Sequence, residues 1–387
     1  MKHIFSITLL GIVTLLSSCG NKTSNTNSQN TVDSKVVERN KEAREDSLKM
    51  AEAQALRAKF KNAITADYET PPVLSEIDED AADDPAIWIN KKDTEKSLIF
   101  GTNKKAGLHV YDIYGKELQF IHVGKINNAE CGYGLKMGNR SIDYVACTNR
   151  TTQTIDVYEI DQQNLVLKEK AICKITSTVD DVYGFCTYFN QENGKHYLFA
   201  NGKNGLVEQW LLSPENDTIK ASLVRTLQMP SQPEGMVVDA VTNTLFIGVE
   251  ENAIFAYSAL EAGDKTGFRI TESSTSNPNI SYDIEGLTTY RISKDKGYLI
   301  ASIQGNFSYA IFDINPPYSY ITSFIVKDGV YDGIEETDGL EICNTPMGPE
   351  FPKGILVVQD GFNKDNGENK NQNFKIISAQ KVLEIPK

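Results

Sequence analysis

Six times between residues 83 and 378 this chain repeats one unit of short apolar runs. The middle run of each unit reads SLIFGTN, DYVACTN, HYLFANG, NTLFIGV, GYLIASI and GILVVQD. Their cores begin at Leu98, Tyr144, Tyr197, Leu245, Tyr298 and Ile355, at intervals of 46 to 57 residues. Each is preceded by a shorter run (DDPAIW, CGYGLKM, VYGFCTY, PEGMVVD, IEGLTTY, TDGLEIC) and followed by another (HVYDI, IDVYEI, EQWLL, IFAYSA, YAIFDI, FKIIS). The runs are rich in β-branched and aromatic residues, and Gly, Asn and Asp turns separate them, so they read as strands. Each unit supplies at least three strands and leaves room for a fourth. No helical crossover lies between units, which excludes a parallel α/β sheet. A β-sandwich has no need of six similar units. The expected fold is therefore all-β, a six-bladed β-propeller.

The first 65 residues differ in kind. MKHIFSITLLGIVTLLSSC has a basic start and an apolar stretch too short to span a bilayer as a mature helix, and ends in Leu-Ser-Ser-Cys. Residues 1–18 read as a lipoprotein signal peptide with Cys19 as the lipidated residue of an exported, membrane-tethered protein of the cell envelope. Residues 19–65 read as a linker, flexible at first, then helical and solvated, because 33–64 are rich in Ala, Glu, Lys and Arg and lack Gly and Pro. The propeller is expected over 66–387. The five later cysteines (Cys131, Cys147, Cys173, Cys186, Cys343) include no CxxC and sit among apolar residues, so they read as buried hydrophobes. The formal charge of −13 argues against a nucleic-acid partner.

In a propeller the innermost strand of each blade lines the central channel. The residues opening those strands should meet there. They are Asp83 and Asp84, Tyr183, Glu234, Glu285 with Asp283 just before it, and Asp338; only the second unit, around Glu130, lacks one. A second set follows the next strand of each unit: Lys104, Arg150 and Lys203 early in the chain, then Glu250, Glu251, Gln304 and Asp360. Any one of these alone reads as a solvated turn residue. Jointly they place a basic half-rim beside an acidic one. Converging carboxylates repel unless a cation joins them. With no His or Cys in the acidic loops, an all-oxygen site suits Ca²⁺. Calcium beside three bases suits a multiply charged anion such as a phosphate ester. The chain has no Cys-x5-Arg loop, GxxxxGK[ST] or HExxH, which leaves direct attack by a calcium-activated water.

The motifs DAADDPAIW, TNKKAGLHVYD, GKINN, TNR, DDVYGF, GKNGLVEQW, SQPEGM, DIEGL, SIQGNFSYAIF, TDG and QNFK, in this order and spacing, resemble the β-propeller (alkaline) phytases over roughly residues 66–380. The resemblance implies a calcium-dependent phosphomonoesterase, a 3-phytase, that binds several calcium ions and acts on phytate as its calcium complex. It implies metal ligands at Glu69, Asp83, Asp84, Tyr183, Glu234, Glu251, Asp283, Glu285, Gln304, Asp332 and Asp338. It implies phosphate contacts from Lys104, Arg150 and Lys203. Of the metal ligands, Asp84, Tyr183, Glu234, Glu251 and Glu285 are expected to serve catalysis. Two stretches depart from the family pattern: AECGYGL after the paired asparagines, where Gly132 and Gly134 offer no side chain, and DGIEETDG between its two Asp-Gly pairs. The Asn-rich loop 362–372 either helps to hold a stabilising calcium or is a turn. The expected state is a monomer. Two alternatives stay open: a calcium-dependent lactonase-like hydrolase, and a propeller that binds anions or a partner without catalysis.

Overall fold

The strands close into six antiparallel sheets around a channel, as the repeat count requires. The computed structural model describes residues 47–77, 79–216 and 218–386. The expected signal segment 1–18, Cys19 and most of the linker lie outside the described residues. From the channel outwards, blade one is Ala82–Trp88, Leu98–Asn103, Gly107–Asp112 and Glu117–His122. Blades two to six begin with Ile126–Met137, Val182–Asn190, Pro233–Asp239, Ile284–Ser293 and Leu340–Ile342.

Why the middle strands are apolar throughout follows from the packing. Among the described residues there are six hydrophobic clusters, each lying between neighbouring blades. Side chains alternate across a strand. Leu98 and Phe100 therefore pack with Val145 of blade two, while Ile99 packs with Val357 of blade six. Leu245 and Ile247 face blade three, and Phe246 faces blade five. A strand buried on both faces has no room for a polar alternation.

The ring is closed by the N-terminal end of the propeller. Tyr68–Glu69 pairs antiparallel with Asn373–Ser378 as the outermost strand of blade six. Just before it, Ala63–Ile64 runs parallel to Tyr320–Val326 on the outside of blade five. Residues 47–57 are helical, in part of the stretch read as a solvated stalk. Its end is not solvated: Ala53 is buried, and Arg57 donates to the carbonyls of Val326 (2.7 Å) and Ile334 (3.3 Å).

Candidate active site

The innermost strands of five blades share one irregularity. In five blades the pairing slips between Ala82 and Pro85, Ile126 and Ala129, Val182 and Phe185, Pro233 and Met236, and Ile284 and Leu287. Each slip is a bulge, which bends the strand and re-aims a side chain. The residues inside these bulges are Asp83 and Asp84, Asn127 and Asn128, Tyr183, Glu234 and Glu285, each of the last three followed by glycine. The glycines let the blades touch. A Cβ on Gly235 would sit 2.2 Å from the Glu285 carbonyl oxygen, and one on Gly339 would sit 2.6 Å from the Asp84 Cα. The bulges turn Tyr183, Glu234 and Glu285 to one mouth of the channel, whereas Asp84 lines a neighbouring cavity with Asn128 and Glu130; the glycines bring the strands that carry them close together.

There the side chains meet in a cleft of about 260 Å³ lined by Asp80, Lys104, Tyr183, Glu234, Glu250, Asp283, Glu285, Gln304, Glu336, Asp338 and Gln372. Carboxylate oxygens of Glu234, Glu250 and Glu285 lie within 4.8 Å of one another. Burial and the Glu234 charge hold the Glu285 carboxyl well above its ordinary range, and push Glu250 up to about 8. The Tyr183 hydroxyl is raised chiefly by Glu234, then by burial. Burial raises Asp83 and Asp84 strongly, although Asp84 also accepts the Ala129 N–H at 3.2 Å. Two buried oxygens, Asp83 Oδ2 and Glu285 Oε2, have no hydrogen-bond partner among the described residues. Orphaned carboxylate oxygens beside a tight cluster of acids match the oxygen shell that calcium takes.

The three bases do not form one patch. Lys104 lies among acids: its Nζ is 2.7 Å from Asp80, 3.0 Å from Asp338 and 4.0 Å from Asp83. Asp80 is thus part of the site. Gln304 donates to the other oxygen of Asp338 at 2.7 Å, and Asp338 is pushed up to about 7 by burial, against the pull of Lys104. Arg150 and Lys203 stand together at Tyr183 instead. The guanidinium is 5.6 Å and the ammonium 4.8 Å from the centre of the Tyr183 ring, within cation–π range.

Three further expected ligands lie elsewhere. Glu251 is exposed, and its neighbour Glu250 lines the cleft in its place. Glu69 and Asp332 belong to a second cluster at blade six, where the fully buried Lys375 ammonium contacts Glu69 (2.5 Å), Asp332, Asp360 (3.3 Å) and the Asn363 side chain (3.1 Å). A cation of the chain's own stands among those carboxylates. Sequence reasoning did not give a role to Asn128, whose side chain bonds Asp84, or to Asp181, which grips Arg150.

The family profile described as Phytase matches residues 32–385. The 3-phytase of Bacillus subtilis (strain 168) is 39% identical over 327 residues, covering 83% of this chain and 85% of that protein. Among solved structures, BBS1N in complex with ARL6DN superposes with a TM-score of 0.46 at 8% identity, covering 79% of this chain and 80% of that one. That likeness is too distant to bear on fold or function. The family profile over nearly all of the propeller and the close bacterial relative agree: this chain belongs to the phytase family.

Proposed function

We propose that this protein is a 3-phytase that releases inorganic phosphate from phytate, with calcium held by the cleft carboxylates. The observation that carries the reading is the meeting of Glu234, Glu250 and Glu285 within 4.8 Å, next to Tyr183 and its two cations. Asp83, Asp84, Glu234, Glu250, Glu285 and Tyr183 would hold the metal. Bound calcium supplies positive charge to phosphoryl oxygens and lowers the pKa of water. The chain supplies the rest. Arg150 and Lys203 bind phosphate and orient the ester. Lys104 keeps Asp83 and Asp338 in place across the contact between blades six and one. The cleft lining contains no Ser, Cys or His among the described residues, which removes the serine, cysteine and histidine covalent routes. Its lining also lacks the apolar wall that a lactone-hydrolysing pocket needs.

The test is phosphate release from phytate while calcium is titrated. Activity should vanish with chelator and return with calcium; an undiminished rate after exhaustive metal removal refutes the calcium requirement. On the strength of Leu-Ser-Ser-Cys, we also propose export and tethering through Cys19. Detergent partitioning that is lost on Cys19→Ala would support this.

A further inference from the structure

The turn before Tyr183 is fixed more firmly than a surface loop needs to be. Gln153 of blade two clasps both its ends, donating to the Val179 carbonyl at 2.7 Å and accepting the Val182 N–H at 3.1 Å. The Lys203 N–H donates to the Asp180 carbonyl at 2.9 Å. At the tip, Asp181 has φ +45°, a left-handed conformation that costs a non-glycine residue energy. Its carboxylate takes the side of the Arg150 guanidinium: Oδ1 accepts from Nε at 3.0 Å and Oδ2 from Nη2 at 2.6 Å. Oδ2 also lies 3.7 Å from Lys203 Nζ. One acid therefore spans the two cations that flank Tyr183.

An arginine donates from two edges. With the Nε–Nη2 edge occupied, the Nη1–Nη2 end is the one that can meet an incoming phosphate. Asn127 stands beside that end, its Oδ1 3.4 Å from Nη1. We propose that Asp181 is a positioning residue: it aims Arg150 and Lys203 at a substrate phosphate and does not itself touch substrate. This rests on the reading that those two bases hold phosphate. Charge alone predicts the opposite sign. A carboxylate beside an anion site repels the anion, so neutralising it would tighten binding if positioning did not matter. The direction of the effect decides between the two.

The test uses the calcium-loaded full-length protein and two probes, phytate for turnover and inorganic phosphate for binding by calorimetry. Asp181→Asn should raise KM for phytate about 10-fold and weaken phosphate binding by a similar factor, with kcat falling less than about 3-fold. Asp181→Glu, which restores the charge, should recover part of the loss. In an Arg150→Ala background, Asp181→Asn should cost no more than about 2-fold, because only Lys203, 3.7 Å away, is left for it to aim. Unchanged or tighter phosphate binding in Asp181→Asn overturns the proposal, and so does a full additive loss on Arg150→Ala. Should Asp181→Asn not fold, Asp181→Ser is read in the same way. A wild-type protein that releases no phosphate from phytate refutes the enzymatic reading, while the phosphate titration still decides the role of Asp181.

Discussion

Replacing Glu234 by Gln should make the metal-free protein more stable and the calcium-loaded protein less so. Glu234 stands within 4.8 Å of both Glu250 and Glu285. Two full charges at that separation repel by about 3 kcal/mol at an effective dielectric of ~20. Protons already relieve part of this, since Glu250 is pushed up to about 8. At pH 8, with Glu250 half ionised, a net relief of about 2 kcal/mol is expected, which raises Tm by roughly 2–3 °C in a chain of this size. With calcium the sign turns. A ligand at 100 times its Kd stabilises by about 2.7 kcal/mol, and Glu234→Gln removes a charged donor from the shell. Thermal melts in chelator and in excess calcium should therefore show the two proteins exchanging rank. If Glu234→Gln melts below wild type in chelator, or gains as much from calcium, the acids are not held together by an ion.

Three further outcomes follow from the same geometry. The carboxyls of Glu250 (up to about 8) and Asp338 (up to about 7) are raised above their unfolded values, so the folded state binds extra protons; metal-free stability should fall as pH rises from about 4 to 8, by up to about 1.4 kcal/mol per pH unit and group, and the share of these two groups ends above 8. Chelator melts across that range check it, and a rise in stability would contradict it. Lys375→Met leaves Glu69, Asp332 and Asp360 without their buried cation and should cost about 3–5 kcal/mol in urea unfolding; a loss below about 1 kcal/mol would show that the cluster is not held by the lysine. Gly235→Ala places a Cβ 2.2 Å from the Glu285 carbonyl oxygen, so blades four and five must part; a loss of about 1–3 kcal/mol and at least about 10-fold in phytate turnover is expected, and unchanged turnover would separate the glycine contact from the site.

Blade number was legible because strand patterning is local and both faces of each middle strand are apolar. The positions of Asp83, Asp84, Tyr183, Glu234 and Glu285 were legible because each opens an innermost strand. The choice between Glu250 and Glu251 was not. It depends on how the hairpin leaves Val249, which pairs with Ala253, and strand alternation does not carry through a turn. The partners of Lys104 and Lys375 were hidden for another reason. Asp338 and Glu69 lie far away in sequence from the lysines they meet, and only the closed ring brings them together. Asp181 looked like one more acid in a turn, and its grip on Arg150 depends on a backbone angle that the residue type permits but does not announce.

Tyr68 pairs with Ile376. A ribosome therefore completes one side of that seam long before the other exists, and the early strand must wait unpaired while the rest of the polypeptide is made. Contacts so distant along the chain form late and slowly. Glu69 meets Lys375 at this same seam, and Gly339 meets Asp84 next to it. Assembly of the mouth that carries the proposed site is thus tied to the last event of folding, so a truncated product lacking its final strand would leave the ring and that site unfinished at once.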